Sequence, residues 1–197
     1  MAKSNEGSLV EDVKVPFLIL VGSLSVFWVA EIIDVVLPFW GLDQYGIRPR
    51  TERGLWGILA SPFLHGGFDH LIGNSVPFLI LGWLTMFRER WHFALVTVMA
   101  MLLGGLGVWT FGATGSVHIG ASGVIFGYLG FLLLSGFFER RFGAILVSLG
   151  VGVAYGGLVW GVLPSQPGIS WEGHLFGFLA GILAAYVAAR LAKRASG

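Results

Sequence analysis

The chain has 197 residues, of which 55% are hydrophobic and 12% charged, with a mean hydropathy of +0.81. Soluble domains carry roughly 25% charged residues, so the composition excludes a water-soluble domain and points to an all-α membrane protein. A formal net charge of +1 gives no reason to expect nucleic acid as a partner, and the absence of cysteine excludes disulfides, thiolate metal sites and cysteine nucleophiles.

Residues 1–14 mix charges of both signs with Ser, Asn and Gly and form a polar N-terminal segment. The apolar stretch after them is too long for a signal-peptide core and reads as a retained first span. At about 20 apolar residues per crossing, six helices are predicted: Val15–Leu37, Leu71–Phe87, Phe93–Phe111, Ser122–Phe138, Phe142–Leu163 and His174–Arg190. The membrane domain is thus 15–190, followed by a basic tail, 191–197. The second span is short and holds Pro77, which predicts a kink.

Arg88 and Arg90 follow span two, Arg140 and Arg141 follow span four, and Arg190, Lys193 and Arg194 follow span six. The loops after spans three and five hold no Lys or Arg, so both termini are expected in the cytoplasm. The first loop, with Arg48, Arg50 and Arg53, then lies outside against the rule. Spans two, four and six each start at the outer face, which brings His70 and Asn74, Ser122, and His174 to one depth. Of the other histidines, His92 falls at the cytoplasmic side, His65 in the first loop and His118 in the loop before Ser122.

His70 and Asn74, spaced i, i+4, share one helix face, and each can donate a hydrogen bond. Facing a serine, they suit an oxyanion hole for acyl transfer, to which the Ser122 N–H at a helix start can add. His174 is then the general base that takes the Ser122 proton and returns it to the leaving amine. Gly123 and Gly127 on span four, and Gly173, Gly177 and Gly181 on span six, recur every four residues, a pattern that permits close helix approach in lipid. Each feature alone has a plain structural reading, since Ser and Gly pack membrane helices and histidines anchor interfaces; their coincidence at one depth favours chemistry.

On these residues the chain resembles the rhomboid intramembrane serine proteases. Gly120-Ala121-Ser122-Gly123 resembles the family's Gly-x-Ser-Gly motif, His174 with Gly177 and Gly181 its His-x-x-Gly-x-x-x-Gly, and His70 with Asn74 its His-x-x-x-Asn. The resemblance implies a six-helix bundle, a Ser122–His174 dyad with an acyl-enzyme intermediate, oxyanion stabilisation by His70 and Asn74, and no cofactor or metal. It implies substrates that are other transmembrane proteins, cut in or near their membrane segments, and lateral access past the fifth span. The expected home is a cell membrane of bacterial type. Nothing in the sequence sets an oligomeric state.

Two departures stand out. The Trp-Arg pair common in the family's first loop is absent, with Gly54-Leu55-Trp56 the nearest approximation, and the residue one turn after the serine, often tyrosine, is Phe126. Stacking on His174 survives that change. No acid is placed to orient His174, and Glu172 is expected to point into the outer loop. Glu31 and Asp34 are expected to reach water or pair with Arg48, Arg50 or Arg53, and Asp69 is expected to cap the second span. Leu163–Ser170, with Pro164, Pro167 and Gly168, reads as a non-helical lid. The alternatives are a non-proteolytic relative acting as a membrane chaperone or quality-control factor, and a small transporter. The former typically lacks the serine or histidine; the latter would need paired intramembrane charges or broken helices.

Overall fold

The computed structural model describes residues 2–87, 89–164 and 168–195, with side chains from residue 11 onward. Arg88 and Pro167, used above for orientation and for the lid, lie outside the described residues. The described residues form helices and turns without a strand; a single isolated bridge joins Ile47 and His118. The helices are α1 (Ala2–Val36), α2 (Glu52–Ala60), α3 (Phe68–Met86), α4 (Arg90–Met99), α5 (Gly105–Phe111), α6 (Ser122–Glu139), α7 (Phe142–Tyr155) and α8 (Trp171–Ala195). A five-residue π-helical turn, Ala100–Gly104, joins α4 to α5, and a 3-10 segment, Gly156–Val162, continues α7.

Five of these stretches are long and apolar enough to cross a membrane: Glu11–Val36, Arg90–Phe111, Ser122–Glu139, Phe142–Val162 and Trp171–Ala195. The predicted second span corresponds to the 19-residue helix α3, which is not among these five because Asp69, His70, Asn74, Ser75 and Pro77 dilute its apolar character. The same residues that make α3 chemically interesting weaken its membrane signal. Helix α1 starts at Ala2, inside the expected polar segment, and runs through Pro16 without a break between the two. Asp12, three turns into α1, pairs with Arg90 at the start of α4 at 2.6 Å, so that part of α1 lies beside the first turn of α4.

Helix α6 is the axis. Its residues Val124 to Leu132 are buried without interruption, and 61% of its apolar window is covered, against 22% for α1 and 11% for α7. Helix α8 crosses it backbone to backbone. A Cβ at Gly177 would overlap the Gly123 carbonyl oxygen, one at Gly181 the Gly127 carbonyl, and one at Gly130 the Phe178 carbonyl. Lipid tails are as apolar as leucine, so burial alone cannot hold helices together in a bilayer; close van der Waals contact between small residues can. The large apolar residues outside this seam, such as Phe142, Leu149 and Val153 on α7, are exposed, as lipid-facing side chains would be.

The first loop is ordered by polar contacts. Arg50 donates to the carbonyls of Thr110 and Gly112, each at 2.8 Å, and to Thr114 Oγ1, which caps the end of α5. The Thr51 hydroxyl accepts from Gly54 N–H and caps α2.

Gly181→Ala should therefore cost about 1–3 kcal/mol through overpacking. Gly143→Ala, whose Cβ meets nothing within 4 Å, should stay within about 0.5 kcal/mol of the parent. Unfolding midpoints in detergent test the pair, and equal midpoints would remove the glycine seam as the source of helix association.

Candidate active site

A cavity of about 760 Å³ is lined by all four predicted polar residues, His70, Asn74, Ser122 and His174, which come from α3, α6 and α8. Gly120 builds the approach to the serine. Its φ of +113° is open to glycine and strained for other residues, and a Cβ there would sit 2.7 Å from His70 Nε2 and 3.6 Å from Asn74 Nδ2. The left-handed residue turns the chain so that α6 begins at Ser122, whose N–H lies in a first turn with no preceding helical carbonyl to accept it. No hydrogen bond joins Ser122 to His174 among the described residues.

His174 occupies the first turn of α8 and is buried. Its ring stacks on Phe126 with centroids 4.1 Å apart and planes 5° from parallel, the packing expected for that departure from tyrosine. Its Nδ1 lies 2.9 Å from the Gly161 carbonyl oxygen. A carbonyl only accepts, so the proton is on Nδ1 and the Nε2 lone pair is free, as a general base needs. Gly161 can come so near because it lacks a side chain: a Cβ would be 2.9 Å from Phe126 Cζ and 3.3 Å from His174 Nδ1.

The second histidine is set in the opposite sense. His70 Nδ1 accepts from the Gly66 N–H at 3.4 Å, which leaves the ring proton on Nε2, the atom turned towards Gly120. Asn74 is buried, and its Nδ2 has no hydrogen-bond partner among the described residues. An unsatisfied buried donor costs about 1–3 kcal/mol, and here it lines a cavity beside the serine. Two side-chain donors and the amides at the start of α6 can thus meet an oxygen carrying negative charge.

The loop before Ser122 is sewn to the first loop. Ile47 and His118 exchange both backbone hydrogen bonds at 2.9 Å, Gly120 N–H donates to the Ser61 carbonyl at 2.9 Å, and Ala121 N–H donates to His65 Nε2 at 3.4 Å. His118 ties this loop to α8 as well. Ser116 donates its hydroxyl proton to the Ala113 carbonyl, so His118 Nε2–H donates to Ser116 Oγ at 2.7 Å. His118 Nδ1 then accepts from Ser170 Oγ–H at 2.6 Å, and Ser170 Oγ accepts from Gly173 N–H at 3.1 Å as the cap of α8. Sequence reasoning put His65 and His118 in loops apart from the site. Both lie at it, His118 lining the cavity and His65 with its ring centroid 5.2 Å from that of His70. The short spacing from His118 to Ser122 was the available signal.

Other expectations are corrected. Glu172 does not project into an outer loop; it is buried in the first turn of α8 and lines the cavity. Gly67, not Asp69, occupies the cap position of α3, because the positive φ of Gly67 turns the chain into the helix one residue before Phe68. Glu31 and Asp34 make no ion pair with Arg48, Arg50 or Arg53 among the described residues. Asp34 accepts from Leu42 N–H, and Glu31 is buried against the Gly67 N–H. The arginines are engaged elsewhere: Arg48 with the Gln44 carbonyl, Arg50 at the end of α5, and Arg53 over the Tyr45 ring. No three His, Asp or Glu side chains among the described residues are grouped to hold a metal.

Two groups outside the spans titrate in opposition. Burial, with His70 beside it, pushes His65 down from 6.5 to about 4; burial, with Asp34 nearby, pushes Asp43 up from 3.8 to about 6. Between about pH 4 and 6.5 the unfolded chain holds a proton on His65 that the folded chain has lost, so His65 makes stability rise with pH. Between about 3.8 and 6 the folded chain keeps a proton on Asp43 that the unfolded chain has released, so Asp43 makes stability fall. Asp43→Asn should therefore steepen the rise in melting temperature from pH 4 to 6.5, and an unchanged or shallower slope would contradict the opposition.

Residues 52–191 match the family model of the Rhomboid domain. An uncharacterized protein of Mycobacterium tuberculosis is 42% identical over 172 residues, which are 83% of this chain and 71% of that one. The Bacillus subtilis protein named "Putative rhomboid protease YdcA" is 29% identical over 164 residues, 79% of this chain and 78% of its own length. RHOMBOID-like protein 4 of Arabidopsis thaliana is 32% identical over 155 residues, 75% of this chain and 37% of its own.

Proposed function

This chain belongs to the rhomboid family, and from that membership we propose that it is an intramembrane serine endopeptidase with Ser122 as nucleophile and His174 as base. The observation that carries the reading is the state of His174: stacked on Phe126, protonated on Nδ1 by its bond to Gly161, and lining one cavity with Ser122. In this mechanism Ser122 Oγ attacks the scissile carbonyl carbon while His174 Nε2 takes the hydroxyl proton. The oxyanion is met by His70 Nε2–H, Asn74 Nδ2–H and the Ser122 N–H. Collapse breaks the C–N bond as His174 returns the proton to the leaving amine. Water then attacks the acyl-enzyme with His174 again as base, releasing the new carboxylate and restoring the serine.

Substrates on this reading are transmembrane proteins whose segments contain Gly, Pro or other helix-weakening residues near the cut, because a regular helix hides its carbonyls in backbone hydrogen bonds. The chain is a multi-pass membrane protein. Its proposed topology counts α3 as a sixth span, with both termini in the cytoplasm of a bacterial-type plasma membrane.

Cleavage of a model transmembrane substrate in liposomes is the direct test. Wild type should cut it, and Ser122→Ala and His174→Ala should abolish cutting while still folded; cleavage that survives Ser122→Ala would sink the assignment, and a folded wild type that cuts nothing would favour the non-proteolytic relative. Asn74→Ala should lower kcat by roughly 10²–10³ with its melting temperature held, since it deletes a donor that has no partner among the described residues. An unchanged kcat would remove Asn74 from the oxyanion hole.

A further inference from the structure

Among the described residues no carboxylate is bonded to the ring of His174. The group bound to His174 Nδ1 is the backbone carbonyl of Gly161, and the place where that carbonyl is mounted is unusual. It sits in the 3-10 segment Gly156–Val162, seven residues long and with no buried residue of its own. Such helices seldom exceed three or four residues because their hydrogen bonds are poorly aligned. The segment continues α7, the least covered of the apolar spans, at 11% against 61% for α6. A Cβ added at Gly150, Gly156 or Gly157 nearby would meet nothing within 4 Å, so no neighbour packs closely on that side of them. What keeps the segment in place is partial packing of Leu158, Val159 and Val162 on the core, together with the contact of Gly161 itself with Phe126 and His174.

We propose that Gly161 is a positioning residue for the base, and that the segment 156–162 is a latch whose seating on Phe126 and His174 switches the base on. The proposal rests on the reading of Ser122 and His174 as nucleophile and base. With the latch seated, the Gly161 carbonyl holds the proton on Nδ1, and the Nε2 lone pair is available to Ser122. With it displaced, Nδ1 loses its acceptor, the ring can take the other tautomer or turn about its Cβ–Cγ bond, and the Phe126 stack loses its outer wall. A wrong tautomer leaves Nε2 carrying a proton and unable to accept one. The structure that clears a side path between helices is then the same structure that disarms the base, so the chain is competent only when that path has closed again over the bound substrate. The glycine is required because a Cβ would force the carbonyl off the ring.

The test separates orientation from activity. In the full chain carrying Ser122→Ala and labelled with ¹⁵N-histidine, the neutral His174 ring, assigned by its loss in His174→Asn, should read as the Nδ1–H tautomer. Adding Gly161→Ala should remove that signature, while Gly157→Ala, whose Cβ meets open space, should leave it. In the active background Gly161→Ala should lower kcat by about 10²-fold, the scale of a general-base contribution, with KM within about twofold; Gly157→Ala should leave both unchanged. Should Gly161→Ala fail to fold, the pair Val159→Ala and Val162→Ala loosens the segment without touching His174 and should lower the Nδ1–H fraction and kcat together. An intact tautomer and kcat in Gly161→Ala, or in the folded valine pair, would overturn the proposal, as would an equal loss in Gly157→Ala. Because the tautomer is read in a chain without the nucleophile, absence of Ser122-dependent cleavage would refute the protease reading separately from the latch.

Discussion

Everything in the site depends on one contact, the crossing of α6 and α8 at their glycines. Gly177 lies against the Gly123 carbonyl and Gly181 against the Gly127 carbonyl with no room for a methyl group between them. That closeness brings the first turns of the two helices together, and each first turn carries one half of the candidate pair. A helix one side chain further away would carry His174 beyond the reach of Phe126, and the stack that fixes its plane would be lost. Packing in lipid, where burial gives little drive for association, is here also what sets the geometry of the candidate site.

The second theme is control of histidine by uncharged backbone. Gly66 N–H and Gly161 C=O set His70 and His174 in opposite tautomers, one presenting an N–H and the other a lone pair. A carboxylate could hold His174 as well, but a charge at such a depth costs desolvation free energy that a peptide dipole avoids. His118 extends the pattern: its two nitrogens take fixed roles between Ser116 and Ser170, joining the loop of the serine to the cap of the histidine's helix. The acidic residues near the site, Glu31, Asp43 and Glu172, stand apart from these bonds.

Much of this was legible in the sequence because it is written in side chains at fixed spacing. Ser122, His174, the four-residue glycine rows and the Phe126 stack follow from motif and helical period: Ser122 and His174 line one cavity, Gly123, Gly127, Gly177 and Gly181 meet at the α6–α8 crossing, and Phe126 lies against the His174 ring. What escaped was written elsewhere. The carbonyl of Gly161 has no residue-type signature, and the 3-10 break that presents it arises in a half-buried glycine-rich stretch that hydropathy reads as plain helix. His118 reached the cavity through the bridge to Ile47, a contact 71 positions away that no local pattern announces. The arginines of the first loop were assigned to the acids by charge alone, yet Arg50 went to the carbonyls at the end of α5, where unsatisfied acceptors compete effectively for a guanidinium. Asp69 was assigned to the cap by residue preference, and the φ of Gly67 decided otherwise.

The order of the chain adds one further consequence. Ser122 is committed to its loop by Ile47, Ser61 and His65, all of which precede it, whereas His174, the Gly161 carbonyl and the Ser170 cap all follow it. During synthesis the loop that carries Ser122 can therefore close before His174 has been made, and the glycine face of α6 waits bare for α8. On the protease reading proposed above, that order means the growing chain is unable to cut until α8 has docked on α6.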